Sequence, residues 1–420
     1  MSRPLSPAPV AIDKVTIDPD RLLGDLRRLR TFGACGVGVV RQSLTPVDIE
    51  SRHWLRSRME EAGLDAHIDG IGTVFGRSRN PGPALLIGSH TDTQPRGGWL
   101  DGAMGVVYGL EVARALAECD ETRHLAVDVA SWIDEEGAFL TCLGSLTFCG
   151  ELAPEPARGL TDDDGRTVGE ALREAGLDGV PVERCEPGRY AGYAEAHIEQ
   201  GPWLEHQGKR IGAVTGIVGS RNFTISFEGQ QNHAGTTPMA LRRDAGHALV
   251  ELAHRVYETF PEHAGERSVW TIGRITLDPG VQSIVPGRAE MHLQFRDQDV
   301  AVLDRLEAQA RALVAEAGAR GRAEVHMSEF GKRSLPAIMD KRLRGHIEAA
   351  AEHHAPGDWV SMPSAAIHDA QVLSRHMPAA MMFVPSIGGV SHAFEEDTRE
   401  EDIVLGCRVF ATAAANMLLR

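Results

Sequence analysis

Four consecutive apolar residues, Ala84-Leu85-Leu86-Ile87, run straight into Gly88-Ser89-His90-Thr91-Asp92-Thr93 and then Gly97-Gly98-Trp99-Leu100-Asp101-Gly102. A short apolar run bounded by glycine reads as a buried strand. One strand end therefore delivers a histidine and two carboxylates within twelve residues. The pattern recurs. Residues 125–133 read as a buried strand ending in Asp134-Glu135-Glu136-Gly137, and residues 193–198 as another ending beside His197. His392 follows Gly388-Gly389-Val390-Ser391. Strands that gather polar chemistry at their ends fit an open α/β sheet with a site along its carboxyl edge. Three histidines with several carboxylates suit two divalent metal ions, zinc and its neighbours above all, and such a pair is well suited to hydrolysis.

Each candidate also has a bland reading. The chain holds 18 histidines, and His67, His124, His206, His254, His346 and His376 read as surface or satisfied core residues. Asp92 and Asp101 have the alternative reading of helix N-caps, Asp101 before Gly102 in particular. An acidic pair such as Glu135-Glu136 is usually a solvated face. Here Trp132-Ile133 precede it and Gly137 follows, which places it at the end of a buried strand. Five separate segments each put His, Asp or Glu near glycine at a strand-to-loop junction, which chance rarely does.

At 420 residues the chain exceeds one ordinary core, so two domains are expected. The first part alternates helix and strand. Thr45-Pro46 and Gly63 bracket a helix carrying Ile49, Trp54, Leu55 and Met59, and residues 102–118 read as a second helix beside Asp101. From about residue 214 the order is strand 222–228, helix 241–258, strands 269–277 and 288–296, helix 300–317 and strand 323–330. That βαββαβ order makes a four-stranded sheet with two helices on one face. This stretch holds no cluster of metal-type ligands. Helix 341–352, strand 379–384 and helix 401–419 then resume the α/β pattern, with His392 among them. The expected organisation is a discontinuous catalytic domain, 1–213 with 331–420, interrupted by an inserted domain, 214–330.

A formal net charge of -16 with no long basic stripe argues against a nucleic-acid partner. No apolar run approaches the roughly 18 residues of a membrane helix. Met1-Ser2-Arg3-Pro4-Leu5-Ser6-Pro7 has no signal-peptide core, so a cytoplasmic location is expected. Six scattered cysteines without a Cys-x-x-Cys pair read as free thiols of a reducing compartment.

Together these residues resemble the dinuclear metallohydrolases of the M20 peptidase group. The resemblance is to the amidase branch holding N-carbamoyl-L-amino-acid hydrolases, beta-ureidopropionase and allantoate amidohydrolase. It runs over nearly the whole chain. It is carried by 88–93, 97–102, 134–137, His197-Ile198-Glu199-Gln200-Gly201-Pro202, Asn232-His233-Ala234-Gly235-Thr236-Thr237-Pro238-Met239 with Arg243-Asp244, and Ser391-His392. It implies a two-domain dinuclear metallohydrolase, with an open α/β catalytic domain and an inserted βαββαβ dimerisation or lid domain.

By the same resemblance His90, Asp101 and His197 bind one ion, Asp101, Glu136 and His392 the other, and Asp101 bridges. Glu135 is the general base. Asp92 stands behind His90 and fixes its tautomer. His233 donates to the negative oxygen that develops during the reaction, reaching the partner subunit's site in a homodimer. Its local alternative is a turn histidine capping the following helix. Arg296 holds the substrate carboxylate through a bidentate pair, and Gln200, Arg221 and His368 fall on binding positions. The chain departs from the pattern in three places. Ser283 replaces an asparagine that helps Arg296. Ala365 and Ile367 replace two glycines in Ser364-Ala365-Ala366-Ile367-His368-Asp369. Ala138-Phe139 replaces Arg-Phe after Gly137.

The expected function is therefore a metal-dependent amidohydrolase with two divalent ions, zinc first, although the ligands also suit manganese, cobalt and nickel. Its expected substrate is a small anionic amide or ureido compound, most simply an N-carbamoyl amino acid. A dipeptidase or N-acyl-amino-acid hydrolase on the same scaffold is the alternative. A metal-binding protein without catalysis is more remote, because it has no use for an unliganded Glu135 beside the ions.

Overall fold

A computed structural model describes residues 14–330 and 333–419; the N-terminal segment read above lies outside the described residues. The chain divides into two compact units. One runs to Thr215 and resumes at Met339, and the other is Gly216–Ile338.

The first unit is built on a mixed sheet. Four strands, Ala84–His90, Val127–Trp132, Tyr190–Ile198 and Ala379–Val384, lie parallel, with His90 level with Trp132 and Phe383 level with His197. Their carboxyl ends therefore share one edge, and the candidate ligands sit there or just beyond. The four strands are buried almost throughout, which is why they read as continuous apolar runs. Antiparallel neighbours extend the sheet: Val74–Arg77 then Asp65–Ile68 beyond one side, and Ile211–Ile217, itself paired with Trp359–Ser364, beyond the other. The sequence did not announce these flanking strands. Asp65–Ile68 and Trp359–Ser364 are short and only partly buried, so they carry no apolar signature.

The helix Ala103–Glu118 packs on this sheet and is buried over almost its whole length, with Val106, Val107 and Leu110 fully inside. Helix Glu400–Leu418 covers it. Helix Pro46–Glu61 starts as expected, with the Thr45 hydroxyl accepting the Asp48 N–H and proline in the first turn. Gly63 follows its end with φ of 85°. Asp101 does not cap the next helix through its side chain; Gly102 is the N-cap and makes no side-chain cap. That leaves the Asp101 carboxylate available elsewhere.

The second unit is an antiparallel sheet in the order Val269–Asp278, Arg288–Asp297, Gly219–Glu228, Glu324–Glu329. Helices Ala245–His263 and Val300–Ala319 pack together on it over a core of Phe223, Phe227, Leu249, Phe260, Leu293 and Phe295. The first helix starts later than the sequence suggested. Asp244 caps it by accepting the His247 N–H, while Met239–Leu241 forms a separate 3-10 turn after Pro238. Apolar residues at 239–241 mimicked helical periodicity ahead of the true cap. Among the described residues, no helix is long and apolar enough to cross a membrane.

Candidate active site

His90 is the last residue of its strand, and His197 lies one residue before the end of its own. After Trp132 the chain turns through Asp134, whose carboxylate accepts the N–H groups of Ala138, Phe139 and Leu140 at 2.7–2.9 Å. This fixes the loop that carries Glu135 and Glu136. Asp134, Gln200 and His392 all have positive φ (58°, 57° and 52°). Non-glycine residues held there cost conformational energy, and such strain concentrates at functional sites. Gly102, at φ of 62°, is forced to be glycine, because a Cβ there would lie 2.3 Å from the His90 ring.

These segments converge on Asp101. Its Oδ1 lies 3.6 Å from His90 Nε2 and 3.2 Å from His197 Nε2. Its Oδ2 lies 3.4 Å from His392 Nε2, which is 3.6 Å from Glu136 Oε2. Two sets of three groups thus share Asp101: His90, Asp101 and His197, and Asp101, Glu136 and His392. Glu135 Oε2 stands 3.5 Å from His90 Nε2. All are buried or nearly so except His392, whose side chain is 49% exposed, so the cluster opens on the His392 side.

The hydrogen bonds test whether a cation belongs there. His90 Nδ1 faces the Asp92 carbonyl at 3.0 Å, and His197 Nδ1 faces the Ile198 carbonyl at 2.9 Å. A carbonyl only accepts, so both Nδ1 atoms carry protons and the Nε2 atoms turn inward toward Asp101. The Gly102 N–H donates to His197 Nε2, in keeping with that tautomer. Asp101 Oδ1, buried, has no hydrogen-bond donor. The two Nε2 atoms facing the unpartnered Asp101 Oδ1 call for positive charge between them, a cation or a second ring proton. The donor set fits divalent metal ions.

The electrostatics agree. Burial pushes the Asp101 carboxyl up, but hydrogen bonds and charges from His197 and His90 together outweigh it and hold it well below its usual range. Burial, only partly offset by His90, holds Glu135 well above the carboxylate range. Burial and then Asp101 push Glu136 up to about 8. A raised carboxyl is a better proton acceptor than an ordinary one, which suits the base role.

Asp92 acts differently from the expectation in detail. Its backbone carbonyl, not its carboxylate, sets the His90 tautomer; Oδ1 is 3.7 Å from Nδ1. The carboxylate Oδ2 instead accepts the Glu136 N–H at 3.2 Å, tying one ligand segment to the other. Glu199, inside the same motif as His197, caps the short helix Trp203–His206 through the N–H groups of Trp203 and Leu204.

Several supporting residues were missed in the sequence. Glu396 is buried beneath Asp101, accepting its N–H at 3.0 Å and the Ser391 hydroxyl at 3.0 Å. It stands in Glu395-Glu396-Asp397, which reads as a solvated acidic run. Its only forewarning is Gly98, where a Cβ would lie 2.0 Å from its Oε1. Arg52 is fully buried, paired with Asp48 through Nε at 2.9–3.0 Å, and donates to the carbonyls of Ser131 and Trp132, just ahead of the Glu135 loop. Arg41, also buried, donates to the Thr91 carbonyl at 2.7 Å. Glu195 accepts from Ser89 and Tyr193 directly behind His90 and His197.

Of the expected substrate-contacting residues, Gln200, His368 and Ile367 lie in this first unit. Gln200 Nε2 is 3.0 Å from Asp101 Oδ2 and 3.3 Å from His392 Nε2. The His368 ring packs tilted against that of His197, centroids 4.6 Å apart, and meets the Ser364 hydroxyl at 2.9 Å. Ile367 beside it is 39% exposed.

The other four lie in the second unit. Asn232–His233 forms a small antiparallel ribbon with Ile284–Val285, and the Ser283 carbonyl accepts the Ala234 N–H, so Ser283 stands beside His233. His233 Nδ1 accepts the N–H groups of Gly235 and Thr236 at 3.0 and 3.3 Å. Nε2 then carries the ring proton and is a donor. Arg221 is buried and its guanidinium is committed to Glu307 and Asp304. Arg296 Nε donates to Gln294 Oε1 at 3.0 Å.

Residues 86–416 match the peptidase family M20/M25/M40. The chain is 34% identical over 395 residues to an N-carbamoyl-L-amino acid amidohydrolase of Geobacillus stearothermophilus, covering 91% of this chain and 95% of that one. It is 32% identical over 391 residues to the allantoate amidohydrolase of Bacillus subtilis (strain 168), covering 90% and 93%. An amidase of the hydantoinase/carbamoylase family from Burkholderia phymatum superposes with a TM-score of 0.93 at 54% identity, covering 97% of this chain and 99% of that one.

Proposed function

The chain belongs to peptidase family M20/M25/M40 and is a hydrolase of amide C–N bonds; within that class we propose that it cleaves the ureido or linear amide C–N bond of a small carboxylate, most simply an N-carbamoyl amino acid. The observation that carries this reading is the Asp101-centred double ligand set with Glu135 at its edge.

His90, Asp101 and His197 hold one divalent ion and Asp101, Glu136 and His392 a second, zinc first, with manganese, cobalt and nickel suited to the same ligands. Bound there, the pair supplies a lowered pKa for water and polarisation of the substrate carbonyl. Glu135 takes a proton from water as its oxygen adds to the carbonyl carbon. It returns that proton to the leaving nitrogen as the C–N bond breaks. His233, with its proton on Nε2, donates to the oxygen that becomes negative. Arg296 holds the substrate carboxylate, and Gln200 and His368 line the approach to Asp101 and His197.

The protein acts as a homodimer in which His233 serves the partner subunit's site. Support for self-association comes from the strand Val269–Asp278. It is an edge of its sheet, ten residues long, with Val269, Ile275 and Leu277 exposed. An uncovered edge of this length is a template for pairing, and pairing with its own copy gives a two-fold interface. The cysteines are all free, which suits a reducing cytoplasm.

The test is a substrate panel with the metal-loaded protein: N-carbamoyl amino acids, N-acyl amino acids and dipeptides. The expected result is release of ammonia and carbon dioxide from the carbamoyl compounds. Turnover confined to dipeptides or N-acyl amino acids would replace this reading with the peptidase or acylase one.

A further inference from the structure

The outer face of the second unit's sheet carries a relay of side chains that ends on Arg296. Along the strand Arg288–Asp297, Glu290, His292, Gln294 and Arg296 alternate onto the face opposite the core, while Ala289, Met291, Leu293 and Phe295 point into it. Gln294 stands directly across from Asn222 on the neighbouring strand. Its amide Nε2 donates to Asn222 Oδ1 at 2.6 Å, and its Oε1 accepts the Arg296 Nε–H at 3.0 Å. Asn222 belongs to an inner strand, and its backbone is fixed on the other side, where its main-chain carbonyl accepts the Phe330 N–H at 2.9 Å.

We propose that Gln294 is the positioning residue that aims Arg296 at the substrate carboxylate, with Asn222 as its anchor. This rests on the reading of Arg296 as the carboxylate-binding group. A glutamine amide can flip, and a flipped one would set its NH2 against the Arg296 Nε–H, donor against donor. Asn222 forbids the flip by taking the NH2 itself. Guanidinium is a rigid planar fork, so fixing Nε fixes the plane and heading of the whole group. An arginine side chain otherwise loses much rotamer freedom on binding an anion, and a pre-aimed one has already lost it. Arg296 is also partly buried, and burial lowers its pKa; a partly desolvated guanidinium pairs more strongly with an anion.

The test compares Gln294→Met, Asn222→Ser and Arg296→Met in the full-length, metal-loaded protein, on a carboxylate substrate and on its neutral carboxamide analogue. Gln294→Met should raise KM for the carboxylate about tenfold, the scale of one hydrogen bond to a charged group, with kcat within about twofold. KM for the carboxamide should not move. Asn222→Ser should give a smaller shift in the same direction, and it keeps the question answerable if Gln294→Met does not fold. A KM rise in Arg296→Met without one in either relay variant overturns the positioning role and leaves Arg296 as the carboxylate site. No carboxylate-specific change in Arg296→Met overturns both.

Discussion

His197 Nε2 and Asp101 Oδ1 face each other at 3.2 Å, although the His197 ring proton is committed on Nδ1 to the Ile198 carbonyl. Positive charge between them, on a cation or as a second ring proton, relieves such a contact in a buried site. The same relation holds between Asp101 and His90 at 3.6 Å. The site is therefore shaped around cations.

Ion uptake should release protons. Without a cation, burial helped by Asp101 pushes Glu136 up to about 8, so at neutral pH the carboxyl is mostly protonated. A ligand carboxylate must be ionised. Apparent affinity should then rise with pH up to about 8 and level off above it. Calorimetric titration of chelator-treated protein in two buffers of different ionisation enthalpy should give different heats, and activity should return with the ions. Equal heats at neutral pH would contradict the protonated state of Glu136.

Glu135→Gln should leave fold and bound ions intact and lower kcat by roughly 100- to 10,000-fold, the range for a lost general base. The change is nearly isosteric, and Glu135 is raised chiefly by burial, so no loss of thermal stability is expected. A variant keeping more than about a tenth of the rate would remove Glu135 from the proton-transfer role.

His233 presents an Nε2 donor because its Nδ1 accepts from the turn at Gly235 and Thr236. If that donor serves the partner subunit, mixing inactive Glu135→Gln and His233→Ala subunits should recover part of the activity through hybrid dimers with one complete site. Demonstrated subunit exchange with no recovery would place His233 in its own subunit's site or outside the chemistry.

Ile367 is exposed next to His368, whose ring packs tilted against that of His197. A β-branched side chain there fills space and adds apolar surface. N-carbamoyl derivatives of apolar amino acids should therefore be turned over better than allantoate, which is polar at both ends. Ile367→Gly should narrow the difference. Kinetic comparison of the two substrate types checks this; allantoate as the better substrate, unchanged in Ile367→Gly, would count against it.

The parallel strands were legible because burial on both faces leaves continuous apolar runs. His90 and His197 stand at two of their ends and Glu136 on the loop just beyond a third, while His392 lies farther along, after a 3-10 turn. What stayed hidden depends on contacts between segments far apart in sequence. Glu396 reads as surface until Gly98 and Asp101 fold over it. Arg52 and Asp48 look like an ordinary i,i+4 helix pair, yet they are fully buried under the strand ends. Arg221, singled out by likeness, turns out to hold Asp304 and Glu307, partners 83 and 86 residues away. The helix after Pro238 begins at Ala245 and not at 241, because apolar spacing continues across a turn that only the Asp244 cap ends.

Anomalous diffraction from crystals of the metal-loaded protein tests the central claim most directly. Two peaks per chain are expected, about 3.5–4 Å apart as in other two-ion sites. One should be bounded by His90, Asp101 and His197 and the other by Asp101, Glu136 and His392, with the Asp101 carboxylate touching both. A single peak in fully active protein, or two peaks that Asp101 does not bridge, would contradict a dinuclear centre built on Asp101.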